Sequence, residues 1–166
     1  MTVYSHSRIS TFEQCPLKYK FNYIDGIKRE ETSIEAFLGT MIHETLEKLY
    51  KEFVFKKYTL EQVIDLFERK WEKNWNDLVF IVRKDREKTD YKNIGIDFIT
   101  NYYKKYYPFN QSKVLALEKE IWVNLDSNGE YKIKGYIDRL CEAEDGTFEI
   151  HDYKTSSLSL PEQRVL

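Results

Sequence analysis

Two carboxylates and an amine lie close together near the end of the sequence. The stretch GYIDRLCEAEDGTFEIHDYKTSS, residues 135–157, holds Asp138 on one strand-like run and Asp152 and Lys154 on the next. An Asp-Gly pair between the two runs is typical of a hairpin turn. Strands on a protein surface usually alternate apolar and polar residues, so this concentration of charge near paired strand ends suggests a site.

The hairpin loop decides which of these side chains meet. A three-residue loop over 144–146, with Gly146 in the left-handed conformation, predicts that Asp138 faces Asp152. Lys154 shares the face of Asp152, because side chains two residues apart in a strand point the same way. A register shifted by one residue would move Asp138 to the opposite face. The meeting of the carboxylates therefore depends on the loop.

This combination of groups predicts hydrolysis of a phosphodiester. Adjacent carboxylates repel each other unless a cation lies between them or one is protonated, and oxygen ligands suit Mg²⁺ or Mn²⁺. Such an ion activates a bound water, and a neighbouring lysine offsets charge that develops on the phosphate. The competing interpretation is a surface salt bridge, because Asp and Lys at this spacing are common on exposed strands and contribute only about 0–1 kcal/mol.

The composition is that of a folded domain without a membrane segment. Of 166 residues, 42% are hydrophobic and 33% charged, which predicts one domain with a sizeable core. A net charge of −2 gives no global attraction to nucleic acid, so a DNA partner would need local basic patches. Cys15 and Cys141 show no disulfide or CxxC pattern. With no signal peptide and no run of membrane-spanning length, the sequence predicts a cytoplasmic protein with no membrane partner.

Helical patterns fill the first two thirds of the chain. Capping residues, apolar spacing and prolines predict the helices. They are a helical turn at a capping box over 10–13, a short helix beginning near Pro16, a long helix over 34–53, a helix after the capping box at 59–62, and a helix over 91–107 that ends before Pro108.

Strand patterns follow over 113–125, 130–141 and 147–156, joined by Asn-Gly and Asp-Gly turns. The predicted fold class is α+β, in which a helical N-terminal region, 1–111, precedes an antiparallel three-stranded meander, 112–166. We expect a single domain over 1–166. The meander ends in SLSLPEQRVL, and we expect the chain to be truncated before a further helix.

These residues resemble the PD-(D/E)XK nuclease core in its RecB-type form. GYIDRL and HDYKTS are similar to its carboxylate-bearing hairpin, with thirteen residues between Asp138 and Asp152. YSHSRISTFEQCPLKYKFNYI, residues 4–24, resembles its S-x-S-R-(I/L)…C-P-x-x-(Y/F) segment, and LGTMIHETLEKLY, residues 38–50, its G-x-x-x-H-x-x-L helix. The pieces follow the family's order and resemble RecB- and AddB-like nuclease domains and CRISPR-associated exonucleases.

The resemblance implies roles for individual residues. Asp138, Asp152 and Lys154 would be catalytic, and the two carboxylates would bind the metal together with His43 and the carbonyl of Tyr153. The sheet would be the restriction-endonuclease-like core. From its spacing alone, His43 could equally be a partly buried helix residue.

The resemblance also makes Arg8 and Ser7 candidates for contacts with DNA, although Ser7 or Ser10 could instead cap a helix. Some relatives place an extra acidic residue near the metals from the first strand of the meander. Here that strand carries Glu118 and Glu120, and we expect both to face solvent.

The sequence departs from the family in two places. Many relatives hold an iron–sulfur cluster on four cysteines, and Cys15 lies where the first would be, but Cys141 is the only other cysteine. An iron–sulfur cluster is therefore not expected unless a longer chain supplies the remaining ligands. Relatives also carry a helix with Q-x-x-x-(Y/F), whereas Gln163 has no aromatic residue at that spacing.

Taken together, the resemblance implies a metal-dependent DNA exonuclease that uses Mg²⁺ or Mn²⁺. It implies action on single-stranded DNA or DNA ends in repair, recombination or CRISPR adaptation, with a helicase or CRISPR adaptation proteins as partners. Two alternatives stay open: a non-catalytic DNA-binding or scaffold module of the same fold, and an endonuclease on the same core.

Overall fold

The computed structural model describes residues 2–27 and 29–155. The chain divides into two compact units, one formed by Met1–Glu30 with Lys119–Ile137 and the other by Glu31–Glu118 with Asp138–Leu166. Among the described helices, none is long and apolar enough to cross a lipid bilayer.

The smaller unit begins with a short strand and two short helices. Strand β1 (Thr2–Tyr4) is followed by helices α1 (His6–Gln14) and α2 (Pro16–Tyr19) and by a π-helical turn, Lys20–Ile24. Helix α2 starts at Pro16 as predicted, because proline lacks only an amide that the first turn leaves unpaired.

Helix α1 begins earlier than the sequence pattern predicts. Ser5 is its N-cap, with an extended backbone and a hydroxyl that accepts a hydrogen bond from the amide of Arg8 at 3.2 Å. The prediction that Ser10 or Ser7 caps this helix is therefore wrong, because both lie within α1. Several serines occur in this segment, and the extended backbone needed at an N-cap falls on Ser5.

The larger unit contains three long helices, as predicted. These are α3 (Ile34–Glu52), α4 (Leu60–Asn74) and α5 (Lys88–Tyr106). The capping box before α4 is confirmed, since Thr59 and Gln62 exchange hydrogen bonds between side chain and backbone. Strand β2 (Thr32–Ser33) precedes α3 and pairs in parallel with β3 (Val79–Phe80).

Large aromatic side chains form the core of this unit. On α4, Val63, Phe67 and Trp71 are almost completely buried, as their helical spacing predicts. The ring of Trp71 packs edge-on against Phe37 of α3, with centroids 4.9 Å apart. This packing fixes α3 along its buried face, and His43 lies at the margin of that face with 28% of its side chain exposed.

The main sheet has four strands and brings the hairpin into place. Strand β5 (Tyr131–Glu142) is hydrogen-bonded to β1, to β4 (Lys113–Asn124) and to β6 (Phe148–His151). Strand β6 runs antiparallel to β5 with Leu140 opposite Ile150. Gly146 has a φ of +82° and donates its amide to the carbonyl of Ala143 at 3.0 Å. The predicted three-residue loop and register are therefore confirmed.

Two features of the sheet differ from the prediction. The sheet is mixed, because β1 adds a parallel strand to β5 with Thr2 opposite Tyr131. A strand of three residues is too short to show a periodicity in the sequence. The third strand of the meander ends at His151, because the amide of Tyr153 donates to the carboxylate of Asp138 and not to a ladder carbonyl. The expectations about Gln163 and a truncated C-terminus lie outside the described residues.

Candidate metal centre

Three side chains from separate elements of the larger unit converge on one point. Potential ligand atoms of His43 on α3, Glu118 on β4 and Asp138 on β5 all lie within 4.8 Å of one another. Nδ1 of His43 lies 3.5 Å from Oδ1 of Asp138 and 3.9 Å from Oε1 of Glu118. One nitrogen and two carboxylate oxygens therefore face each other at distances that a single cation can bridge.

The two ring nitrogens of His43 have different partners. Nε2 lies 2.9 Å from the carbonyl oxygen of Tyr153. A carbonyl can only accept a hydrogen bond, so Nε2 carries a proton and Nδ1 is the nitrogen turned toward the carboxylates. Histidines that bind metals commonly use one nitrogen in this way while the other donates to a backbone carbonyl. Burial opposes protonation of His43, but the adjacent Asp138 carboxylate outweighs this and raises its pKa.

Asp138 is an ionised carboxylate in a nearly buried position. Only 9% of the residue is exposed, and its Oδ2 accepts the amide of Tyr153 at 2.7 Å. Burial alone would raise its pKa, but the adjacent His43 ring and the hydrogen bond from the Tyr153 amide hold the pKa below the usual range. The site thus contains a fixed negative charge.

Glu118 is a carboxylate that lacks a protein partner at one oxygen. Its Oε1 is buried and makes no hydrogen bond within the described residues, 2–27 and 29–155. Burial and the neighbouring charge of Asp138 raise its pKa. A buried, unpaired oxygen beside a second carboxylate is the environment that a bound cation stabilises.

The backbone explains why Glu118 points inward. Its φ is +46°, a left-handed value that is strained for glutamate. The alternation of β4 breaks at this point, so Leu117 and Glu118 are both half-buried. The expectation that Glu118 faces solvent is therefore wrong. Glu120 does lie on an exposed surface, in the smaller unit, where it accepts hydrogen bonds from Lys134 and Tyr136.

Asp152 and Lys154 lie beyond the end of β6 and pair with each other. Nζ of Lys154 is 2.7 Å from Oδ2 of Asp152, with 66% and 55% of the two side chains exposed. Asp152 is not part of the group formed by His43, Glu118 and Asp138. The positive charge of Lys154 is among the smaller causes that lower the pKa of Asp138.

An open cleft of about 480 Å³ lies along α3 and is lined by His43 and Glu118. Its other charged lining residues, Glu44 and Glu47, are acidic. Lys70 lies 2.7 Å from Glu44, and Lys51 pairs with Glu47. An anionic ligand would meet repulsion in this cleft unless a cation accompanied it.

The donor set of the centre fits a divalent metal ion. His43 offers the unprotonated Nδ1, and Asp138 and Glu118 offer carboxylate oxygens, one of which has no other described partner. A mixture of carboxylate and imidazole ligands is compatible with Mg²⁺, Mn²⁺ and other divalent ions. The carbonyl of Tyr153 accepts from His43 and keeps a second lone pair.

The N-terminal candidates lie in the smaller unit. Arg8 donates to the hydroxyl of Tyr19 at 3.0 Å and to the carbonyl of Val3 at 2.7 Å, and its guanidinium lies over three tyrosine rings. These contacts give Arg8 a structural role. Ser7 is exposed, with its hydroxyl 3.0 Å from that of Ser5.

The two cysteines are free thiols. Cys141 is completely buried, whereas Cys15 is half-buried and caps α2, its sulfur 3.4 Å from the amide of Lys18. Two cysteines are too few for the four-cysteine cluster of many relatives.

Sequence comparisons agree with the geometry of the centre. No curated protein matches the chain. A family profile matches residues 3–165 and describes the PD-(D/E)XK nuclease superfamily. The match covers the helix with His43, the strand with Glu118 and the hairpin with Asp138 and Asp152. The chain belongs to the PD-(D/E)XK nuclease superfamily.

Proposed function

We propose that the chain is a metal-dependent deoxyribonuclease of the RecB type that removes nucleotides from DNA ends. The observation that carries this proposal is the position of His43. Its helix has the G-x-x-x-H-x-x-L pattern of RecB-type relatives, and its ring lies between the carboxylate of Asp138 and the carbonyl of Tyr153. A histidine supplied by a helix that precedes the sheet fits a RecB-type nuclease better than it fits an endonuclease built on the same core.

His43, Glu118 and Asp138 would hold Mg²⁺ or Mn²⁺, with Asp152 and the carbonyl of Tyr153 as further proposed ligands. The bound ion would polarise the scissile phosphate and lower the pKa of a water molecule. His43 keeps its Nδ1 turned toward the site because Nε2–H is held by the Tyr153 carbonyl. Asp138 stays ionised because it accepts the Tyr153 amide.

Lys154 would act on the phosphate. Its side chain is 66% exposed, and the described partner of its ammonium is Asp152. An exposed salt bridge of this kind contributes roughly 0–1 kcal/mol, so breaking it costs little. The ammonium can then hold the attacking water and offset the charge that develops on the phosphate.

Exposed basic residues would bind the DNA backbone, because the lining of the cleft along α3 is acidic. The chain has exposed lysine pairs, among them Lys56 and Lys57 after α3 and Lys104 and Lys105 near the end of α5. Such pairs bind phosphates in a salt-dependent manner. We further propose that the protein acts in the cytoplasm in repair, recombination or CRISPR adaptation, with a helicase or adaptation proteins as partners.

Cleavage of linear and circular DNA tests this function. End-labelled single strands, duplexes with free ends and circular single strands are incubated with Mn²⁺, Mg²⁺ or EDTA. We expect mononucleotides or short products from linear DNA, no cleavage of circles, and no activity for Asp138→Asn. Asp65→Asn is the matched control, because Asp65 is exposed on α4 and pairs with Arg69.

The alternatives predict other results. Cleavage of the circles that is lost in Asp138→Asn would identify an endonuclease. Salt-sensitive DNA binding without cleavage in any metal, retained in Asp138→Asn, would identify a non-catalytic module and would overturn the proposed activity.

A further inference from the structure

Arg139 is a buried cation next to the metal centre. It follows Asp138 on β5 and therefore projects from the opposite face of the strand, where only 4% of it is exposed. The largest electrostatic influences on its charge come from Tyr50, Tyr102, Tyr153 and Cys141, and its own charge lowers the pKa of His151, which lies opposite it on β6. Its Nε makes no hydrogen bond to a described residue. Arginine stays charged in proteins. The described fold thus buries a positive charge that is surrounded mainly by aromatic side chains.

Three tyrosines surround this charge, and we call them the tyrosine box: Tyr50, Tyr102 and Tyr153. The guanidinium carbon of Arg139 lies 4.0 Å from the centroid of the Tyr50 ring. The hydroxyl groups of Tyr50 and Tyr102 are 2.9 Å apart, and the ring of Tyr102 packs edge-on against Tyr153 at 5.7 Å. Burial raises the pKa of all three phenols, so they are neutral.

Stability alone does not explain an arginine in this position. A desolvated cation–π contact offsets only part of the cost of burying a cation. Apolar side chains of similar volume often replace buried charges without loss of stability. The planar guanidinium does offer one property that an aliphatic chain lacks, which is a fixed stacking geometry against an aromatic ring.

Tyr153 connects the tyrosine box to the metal centre. Its ring is part of the box and also packs edge-on against the ring of His43, with centroids 5.5 Å apart. Its amide donates to Asp138 at 2.7 Å, and its carbonyl accepts from His43 at 2.9 Å. Tyr153 also stands between Asp152 and Lys154 in the chain. Movement of this ring would therefore displace partners of two of the three converging side chains.

We propose that Arg139 is a positioning residue for the metal centre. Its guanidinium orders the tyrosine box, the box fixes the ring of Tyr153, and the main chain of Tyr153 holds Asp138 and His43 in their orientations. Arg139 touches neither the proposed metal ion nor DNA. Its effect on cleavage rests on the proposed function, whereas its effect on His43 is a property of the metal-free chain.

The first test measures His43 without metal. Nitrogen NMR of the full chain in EDTA distinguishes the two imidazole tautomers, and His6→Asn and His151→Asn variants assign the signals. At a pH above the titration of His43, we expect the unaltered protein to show one neutral His43 form with the proton on Nε2. In Arg139→Met, we expect a mixture of tautomers. A His43 spectrum in folded Arg139→Met that matches the unaltered protein would overturn the proposal.

The second test measures Mn²⁺ affinity by calorimetry. Loss of an outer-shell partner typically weakens metal binding 10- to 100-fold, and we expect a rise in Kd of roughly this size for Arg139→Met. Arg86→Met is the matched control, because Arg86 lies over the ring of Tyr91 at 5.8 Å in the same unit. A purely structural Arg139 would lower the melting temperature but leave the Kd of the folded protein unchanged, which would overturn the proposal.

Two variants of Tyr153 keep the proposal testable if Arg139→Met does not fold. The Tyr153 hydroxyl has no hydrogen bond of normal geometry to a described residue, and the phenol that it influences is Tyr102, on the side of the ring away from Asp138 and His43. Tyr153→Phe keeps the ring and the main chain, so it should preserve the His43 tautomer and the Mn²⁺ affinity. Tyr153→Leu should alter both, and equal behaviour of the two variants would contradict the proposal. If the unaltered chain binds no Mn²⁺, the proposed function fails, and the NMR comparison still decides the role of Arg139.

Discussion

Nε2 of His43 donates a hydrogen bond to the carbonyl oxygen of Tyr153 at 2.9 Å, across 110 positions of sequence. This bond joins α3 to the D-Y-K segment and fixes which imidazole nitrogen faces Asp138 and Glu118. The ligand atoms of the proposed centre are therefore oriented by the protein itself.

Glu118→Gln should stabilise the metal-free protein and weaken metal binding. Burial and Asp138 raise the pKa of Glu118, so its ionised form is unfavourable in the absence of a cation. Removing the charge should raise the melting temperature in EDTA and raise the Kd for Mn²⁺ by roughly tenfold or more. Glu142→Gln is the control, because Glu142 lies four residues from Asp138 on β5, about 13 Å away. A lower melting temperature in EDTA would contradict the assignment.

Lys154→Ala should separate binding from chemistry. The ammonium repels a cation and pairs with Asp152 at the surface, so its loss should leave Mn²⁺ affinity unchanged or tighter. The rate of DNA cleavage should fall by about 10²–10⁴, the usual range for a group that assists proton transfer. Single-turnover cleavage and calorimetry measure the two effects. Lys113→Ala, at an exposed lysine on β4, is the control, and a matched loss of Mn²⁺ binding in Lys154→Ala would contradict the proposed role.

Glu120 should make the stability of the protein depend on acid pH. Hydrogen bonds from Lys134, Tyr136 and Trp122 lower its pKa to about 2, compared with about 4.3 in an unfolded chain. Because the folded pKa is the lower one, the stabilisation is complete above the unfolded value and is lost as the pH falls toward 2. The melting temperature of Glu120→Gln should therefore be lower than that of the unaltered protein at pH 7, and the difference should be smaller at pH 3 and vanish as the pH falls to about 2 and below.

Carboxyl-carbon NMR provides the direct check on Glu120. The midpoint of its titration should lie near 2, and Lys134→Met should move it upward because the ammonium is the largest cause of the shift. A midpoint near the unfolded value, or an equal difference in melting temperature at pH 7 and pH 3, would contradict this prediction.

Gly95→Ala should destabilise the larger unit. A Cβ atom at this position on α5 would clash with Cζ of Phe67 and would lie 2.9 Å from Cδ1 of Leu38. Overpacking of a core typically costs 1–3 kcal/mol, more than the roughly 1 kcal/mol that alanine gains over glycine in a helix. Denaturant unfolding measures the change.

Gly135→Ala serves as the comparison for the glycine test. Its added Cβ would meet Ile121 at an ordinary 3.5 Å. We expect a much smaller loss than for Gly95→Ala. A similar or larger loss at Gly135 would contradict the packing described around Phe67.

The sequence predicts the hairpin of the site well because local chemistry determines it. Gly146 permits the left-handed loop residue, and this loop fixes the pairing of β5 with β6. The α3 helix with His43 follows from apolar spacing. The contact between His43 and the hairpin joins residues that are far apart in the sequence. Local patterns do not predict it, and only the resemblance to RecB-type nucleases indicated it.

Other features depend on tertiary structure and leave no local pattern. Glu118 enters the centre through a left-handed backbone in the middle of β4, which a rule of alternation assigns to the solvent side. Strand β6 ends early because the Tyr153 amide bonds to Asp138, a contact between residues fifteen positions apart. From the sequence alone, Arg139 next to Asp138 has the pattern of an ordinary surface charge. Only the fold brings the three tyrosines around it.

We expect His43, Glu118 and Asp138 to bind one divalent cation together. The most direct measurement is calorimetric titration of Mn²⁺ into the unaltered chain and into His43→Asn, Glu118→Gln and Asp138→Asn, each first shown to be folded by thermal melting. We predict saturable binding with one ion per chain, weakened by at least roughly tenfold in every variant. Binding that persists with the same Kd in all three variants, or no binding to the unaltered chain, would contradict the claim.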